Sequence, residues 1–223
     1  MNKILSFVVI FTFMQLSTSG QVKVRDFSTW TTVSIDYKIK NTPLFMNQML
    51  RTVYTNHSSS LNEGLLVNEL IYPLPNNGIS LSTAYFIGSI KNAGILQAAE
   101  AAISYRAPYR SELSVKVSYD YFWFAQTKSR QVKLPDEDWL RIRFRYRPII
   151  NKKGDYINLS VRPYIRKSYI WWGENRTKLG YGVQISPKVL WEINYMNRWR
   201  KGKSSIIPDR WEHILDMELR FHI

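Results

Sequence analysis

Four arginines occupy every second position between residues 141 and 147, and this spacing suggests chemistry more clearly than any other feature of the sequence. They are Arg141, Arg143, Arg145 and Arg147, and they alternate with Leu140, Ile142, Phe144 and Tyr146. Successive side chains of a β-strand point to opposite faces, so this segment has one cationic face and one apolar face. Guanidinium groups on the same face lie about 7 Å apart, so they need water or carboxylates around them.

Carboxylates at polar positions of other predicted strands can form ion pairs with these arginines. They are Glu100, Asp120, Glu192, Asp216 and Glu218, and we expect Glu192 and Glu218 to belong to one charge network with the four arginines. One interpretation is a structural network of ion pairs that fills a narrow lumen, because small barrels fill their interiors with side chains. The other interpretation is a constriction that selects anions.

His57 and Ser59 form a second arrangement with chemical potential, in the polar segment 55–60. A serine attacks an ester when a nearby base takes its proton and a third group orients that base. A similar pair supplies base and nucleophile in outer-membrane lipid hydrolases, which commonly carry Asn-Gly beside it, whereas Ser60 and Leu61 follow here. We therefore predict a polar loop tip, and a lipid hydrolase is the alternative hypothesis.

The sequence offers no other catalytic or metal-binding arrangement. It contains no cysteine, so disulfides, thiol catalysis and thiolate ligands are not available. His213 and His222 are predicted on opposite faces of the last strand, where they cannot share a metal ion. We predict no cofactor and no metal, and a protein that is not an enzyme.

The elements that must position these residues are predicted to be β-strands, because apolar and polar residues alternate along much of the chain. Alternation is clearest at 113–125, 139–147 and 211–223, and weaker at 33–40, 79–87, 157–166, 179–185 and 191–199. Further strands are predicted at 46–55, 65–72 and 96–106. A bacterial single-chain barrel has an even number of strands. Adding the segment 22–30 gives twelve strands as the first prediction, with ten as the alternative.

Connections between the predicted strands tend to alternate in length, as in a barrel with tight turns at one membrane face and free loops at the other. The long ones are predicted at 56–63, 88–95, 127–138, 168–177 and 201–210. Pro163 lies within a predicted strand and cannot donate a ladder hydrogen bond, so it predicts a bulge or a local break. Tryptophans near predicted strand ends are typical of the aromatic girdles of membrane barrels, and they are Trp123, Trp139, Trp171, Trp172, Trp199 and Trp211.

Residues 1–20 have the pattern of a cleaved signal peptide, with Lys3, an apolar run from Ile4 to Leu16 and small residues before Gln21. Residues 21–223 are predicted to form one exported domain. The formal charge of the chain is +14, but export argues against a nucleic-acid partner. The expected partners are outer-membrane lipid, the phosphates of lipopolysaccharide and the barrel assembly machinery.

Two segments, Leu140 to Arg147 and Asn194 to Trp199, resemble those of an uncharacterised family of small bacterial outer-membrane β-barrel proteins. Asp26 and Trp30, soon after the predicted signal peptide, match the opening motif of that family. The resemblance implies a barrel in the outer membrane of a Gram-negative bacterium, and it implies no established activity.

Together these patterns predict an all-β protein, a single antiparallel transmembrane β-barrel in the outer membrane with an Arg-rich lumen and a structural or narrow-pore role. Two alternatives stay open. One is an outer-membrane lipid hydrolase that uses Ser59 and His57. The other is a secreted, soluble β-sandwich that binds a ligand, since a sandwich also buries one face of each strand.

Overall fold

The computed structural model describes residues 24–55, 60–75, 78–91, 94–108, 112–126, 136–166, 172–201 and 209–223. These residues form eleven β-strands, with the following bounds: β1 (Val24–Lys38), β2 (Phe45–Thr55), β3 (Ser60–Pro73), β4 (Ile79–Ile90), β5 (Gly94–Arg106), β6 (Leu113–Gln126), β7 (Glu137–Tyr146), β8 (Tyr156–Arg166), β9 (Trp172–Ser186), β10 (Val189–Arg200) and β11 (Arg210–His222). Within these ranges, no helix has the length and apolar character needed to cross a membrane.

The strands form one sheet that closes into a barrel. Each strand pairs antiparallel with the next along the chain, and β1 pairs with β11 to complete the ring. That last pairing is parallel, because consecutive strands alternate in direction and an odd number of them leaves the first and last running the same way. Closure leaves no unpaired sheet edge. The chain therefore forms a single closed sheet and not a sandwich of two packed sheets.

The described residues give eleven strands instead of the twelve or ten predicted from the sequence. The segments 22–30 and 33–40 were predicted as separate strands, but β1 runs without interruption from Val24 to Lys38. Between the two segments stand Thr31 and Thr32, which suit a strand and provide no turn.

The predicted alternation of short and long connections is only partly correct, because strands extend into all five of the predicted long connections and leave some of them short. The chain between β2 and β3 spans only 56–59, and the chain between β4 and β5 spans only 91–93. The predicted break at Pro163 is confirmed. Between β7 and β8 the paired residues include Arg141 with Tyr164 and Phe144 with Val161, but the two pairs between them are missing.

Alternation along each strand separates an exterior face from an interior face. On β7, Leu140 and Phe144 are 38% and 49% exposed on the outside, whereas Trp139 is 7% exposed on the inside. The interior is mostly polar, and its fully buried side chains include Asp120, Glu174, Asn158, Asn194 and Asp216. One apolar cluster also lies inside, formed by Trp30, Val53, Met196 and Ile214.

Candidate functional site: the charged interior of the barrel

The four arginines of the 141–147 segment share the interior face, as the alternation predicted. Three are on β7 and Arg147 follows it directly, while Ile142 and Phe144 lie on the opposite face. The four arginines differ in their binding partners. Arg141 and Arg147 bind carboxylates, whereas Arg143 and Arg145 do not take part in the ion pairs of the described residues.

Arg141 joins carboxylates from two neighbouring strands. Its guanidinium donates to Asp120 Oδ1 at 2.6 Å and also contacts Glu100. Lys116 Nζ lies 2.6 Å from Glu100 Oε1 and 2.7 Å from Glu69 Oε1. These five residues, which we name the Arg141 cluster, link β3, β5, β6 and β7. Since Glu100 and Asp120 are paired directly across β5 and β6, the cation between them offsets the repulsion of two adjacent carboxylates.

Glu192 is the centre of a second cluster, which is almost entirely buried. Its carboxylate accepts hydrogen bonds from Arg147 Nη2 at 2.7 Å, Tyr156 Oη at 2.5 Å, Asn158 Nδ2 at 3.0 Å and Asn194 Nδ2 at 2.9 Å. Four donors from β8, β10 and the chain after β7 satisfy this carboxylate, as burial of a charge requires. Glu192 therefore links these side chains in the interior, and its carboxylate is not free to act as an acid or base.

Glu218 lies in a third cluster near the seam between β1 and β11. Arg220 Nη2 donates to Glu218 Oε1 at 2.5 Å, and the Ser34 hydroxyl donates to the same oxygen at 3.2 Å. Asp36 lies 3.8 Å from Arg220 Nε and 3.3 Å from His222 Nδ1. The structure thus gives Glu192 and Glu218 different arginine partners, in clusters that share no residue.

Glu174 binds three arginines, in a cluster that the sequence reasoning missed. Its carboxylate lies 2.5 Å from Arg176 Nε, 2.9 Å from Arg198 Nε and 3.0 Å from Arg200 Nε. Arg198 also pairs with Glu212 at 3.0 Å. The residues 168–177 had been predicted as a loop, although Glu174, Arg176 and Lys178 alternate with less polar residues. Extending the β9 alternation toward its start would have found them.

An aromatic and apolar layer lies beside the Glu174 cluster. The Trp30 ring packs in the apolar interior cluster and meets three guanidinium groups, with Arg51 and Arg176 each at 5.1 Å and Arg198 at 5.8 Å from its centroid. Trp139, predicted as a girdle residue, also faces the interior, where Arg166 lies 3.9 Å from its ring. The girdle prediction is therefore wrong for Trp139, because this residue lies on the same face of β7 as the arginines.

Three arginines of neighbouring strands have no carboxylate partner among the described residues. Arg143 and Arg145 on β7 make no side-chain hydrogen bond or ion pair there, and Nε of Arg145 is buried without a partner. Arg162 on β8 makes only a 3.4 Å hydrogen bond to the Tyr164 hydroxyl. We name Arg143, Arg145 and Arg162 the unpaired arginines.

One carboxylate outside the strands ties the connection after β7 to β9. Asp155 accepts a hydrogen bond from the Asn151 side chain at 2.7 Å and another from the backbone N–H of Gln184 at 2.9 Å. Because both donors favour the charged form, they hold the pKa of Asp155 below its usual range.

Other residues singled out from the sequence lie apart from these clusters. His57, Ser59 and Trp171 are outside the described residues. His213 faces the exterior, where its ring stacks on Tyr195 with centroids 5.9 Å apart, and His222 faces the interior beside Asp36. The two histidines are thus on opposite faces of β11, as predicted.

Comparison with known proteins does not identify a function for this chain. No protein-family profile matches the chain, and no curated protein matches it at a significant level. Among solved structures, the NanC porin in a rhombohedral crystal form aligns over 76% of this chain and 86% of its own, with a TM-score of 0.48 and 13% sequence identity. These values assign no family, so the family resemblance stays a prediction and the closed barrel rests on its own strand pairing.

Proposed function

We propose that this protein is an integral outer-membrane β-barrel with a structural or narrow-pore role. The observation that carries the proposal is the inverted distribution of polarity. A soluble barrel keeps polar residues outside and apolar residues inside. Here charged side chains fill the interior, while large apolar side chains such as Val33, Leu50, Ile103, Phe144 and Leu179 are 45%, 54%, 47%, 49% and 56% exposed on the exterior. An apolar surface that continues around the barrel needs a covering of lipid.

Aromatic residues lie at both ends of this exterior, and Tyr85, Tyr119 and Tyr195 lie nearer its middle. At the end where β1, β3, β5, β7 and β11 finish, the outward-facing aromatics are Tyr37, Tyr72, Tyr105, Tyr146, Trp191 and Phe221. At the opposite end they are Phe27, Tyr54, Trp123, Trp199 and Trp211. Aromatic rings with a polar atom favour the two interfaces of a bilayer, and two belts with an aliphatic band between them are typical of membrane barrels.

The strand lengths agree with this proposal. The strands have between 10 and 15 residues, and a tilted strand needs about 9 to 11 residues to cross a bilayer. Closure of the sheet satisfies the backbone hydrogen bonds of the strands, which the hydrocarbon region requires.

The filled interior supports a structural or narrow-pore role rather than a wide channel. Ion-pair clusters from all sides of the wall reach inward, and the Trp30 layer adds apolar bulk. We further propose that basic residues at the rims contact lipopolysaccharide phosphates and that the assembly machinery inserts the barrel. The described clusters do not favour the alternative of a lipid hydrolase, whose candidate residues His57 and Ser59 lie outside the described residues.

Fractionation combined with gel mobility tests this proposal. Detergent-extracted outer membranes should contain the protein, and the unboiled sample should migrate at a different apparent mass from the boiled sample because a closed barrel resists detergent. A soluble periplasmic protein and a host porin, run beside it, define the two possible behaviours. An unshifted band found in the soluble periplasm would contradict the proposal.

A further inference from the structure

The unpaired arginines form one group at the interior surface where β7 and β8 meet. Arg141 pairs with Tyr164 and Phe144 with Val161, so the register places Arg143 opposite Arg162 across the break in the ladder. Opposed residues of antiparallel strands have Cβ atoms about 5 Å apart, and Arg145 follows Arg143 on the same face at about 7 Å. Three positive charges therefore share one patch of wall.

The carboxylates near this patch are already engaged. Arg143, Arg147 and Arg220 act on Arg145 as positive neighbours, and the acid that acts on it most strongly is Glu192. That acid is bound by Arg147, Tyr156 and two asparagines. Glu69 is the carboxylate with the strongest electrostatic attraction to Arg143, and it is bound by Lys116. By contrast, Arg141, Arg147, Arg176, Arg198 and Arg220 each have a carboxylate partner in the described interior.

An arrangement that served stability alone would not gather arginines in this way. Like charges so close together repel each other, and a half-buried guanidinium that lacks a partner loses hydration without compensation. Arg143, Arg145 and Arg162 are all half-buried, so they still reach the lumen. A dissolved anion is the missing partner that fits this geometry.

We propose that Arg143, Arg145 and Arg162 bind oxyanions, namely phosphate, sulfate or carboxylate groups, in the lumen. The planar guanidinium presents paired N–H donors that match two oxygen atoms of such a group. Chloride is a single atom and cannot accept both hydrogen bonds in this way. This inference rests on the proposed function, because only a barrel with a wet interior admits the anion. The inference names oxyanions as the class of solute that a narrow pore would bind. The Arg141 and Glu192 clusters would then stabilise the wall around this site.

The test measures heat stability of the detergent-extracted barrel from the temperature at which its unboiled band disappears. Sodium phosphate and sodium citrate are added separately at about 1 to 10 mM with chloride to constant ionic strength, so that general salt effects on stability stay small. The two anions distinguish a phosphate site from a carboxylate site. The test variant is Arg143→Gln/Arg145→Gln. The control is Lys152→Gln/Lys153→Gln, which removes the same charge from an exposed turn.

The parent should gain about 5 to 10 °C when one of the two anions reaches about a hundred times its Kd. The control should gain as much as the parent, and the test variant should gain nothing. Without added anion, the test variant should be at least as stable as the parent, because it removes repulsion and leaves no carboxylate unpaired.

Three outcomes would overturn the inference. The first is a parent that gains no more heat stability from phosphate or citrate than from chloride. The second is a test variant that keeps the gain. The third is a test variant that no longer folds, which would assign the two arginines a structural role. The proposed function fails separately if the parent shows no heat-modifiable band before any anion is added.

Discussion

Arg141→Gln is expected to be among the most damaging single changes to the interior. Arg141 contacts Glu100 and Asp120, whose side chains are 4% and 0% exposed, so water cannot replace it. Lys116 still binds Glu100 in the variant, so the substitution orphans one carboxylate, Asp120, rather than two. Removing one partner of a buried ion pair costs about 3 to 5 kcal/mol, which is a large part of the free energy of unfolding of a typical domain.

Urea unfolding of the barrel refolded into lipid vesicles, followed by tryptophan fluorescence and extrapolated to zero urea, measures this loss. The matched rescue is Arg141→Gln/Asp120→Asn, in which the orphaned charge is removed and most of the lost stability should return. An Arg141→Gln variant within about 1 kcal/mol of the parent would refute the reasoning. So would a double variant that is no more stable than the single one, because the loss would then not come from an uncompensated carboxylate.

Three further predictions concern other parts of the barrel. Phe144→Arg should lower the yield of heat-modifiable barrel in membranes, because an arginine on the lipid face near the midplane costs about 2 to 4 kcal/mol. Gly182→Ala should destabilise by about 1 to 3 kcal/mol in urea unfolding, since its Cβ would overlap the Tyr156 ring, whereas Gly64→Ala, which meets no atom within 4 Å, should not have this overpacking cost. Asp155→Asn should be less heat-stable than the parent at neutral pH. The hydrogen-bonded carboxylate stabilises fully above its ordinary pKa and loses this effect as pH falls through its lower folded pKa, so the two melting temperatures should converge below about pH 4.

The closed all-β fold could be predicted because alternation is a local signal. A strand with one lipid-facing side and one polar side shows its period directly in the sequence, as Leu140 to Arg147 does. The Ala-rich segment 96–106, helical by propensity, is also a strand, β5, because its neighbours pair with it on both sides.

The number of strands could not be read as securely from the sequence. A rule of even strand number required a strand before residue 33, and this divided a single strand in two. The structure accommodates eleven strands by pairing β1 and β11 in parallel, with thirteen residue pairs from Val24 and Arg210 to Asp36 and His222. That seam depends on contacts between the two ends of the chain, which no local pattern reports.

The partners of the charged residues were the least predictable part of the interior. Which carboxylate meets which arginine depends on the register of strands that are far apart in the sequence, as for Arg147 and Glu192, which are 45 residues apart. The alternation placed Arg141, Arg143 and Arg145 on one face but could not separate the bound arginine from the unpaired ones. The register of β7 and β8, which is the same on both sides of the break at Pro163, places Arg162 opposite Arg143, where a carboxylate would have completed the network.

Lipid-specific quenching at two adjacent residues tests the central claim most directly. The chain has no cysteine, so Phe144→Cys and Arg143→Cys each provide a unique site for an environment-sensitive dye. In vesicles that contain brominated lipid, the dye at position 144 should be quenched, because Phe144 faces the exterior apolar band, and the dye at position 143 should not, because Arg143 faces the lumen. Equal quenching at both positions, or none at either, would contradict a barrel wall that crosses the membrane at β7.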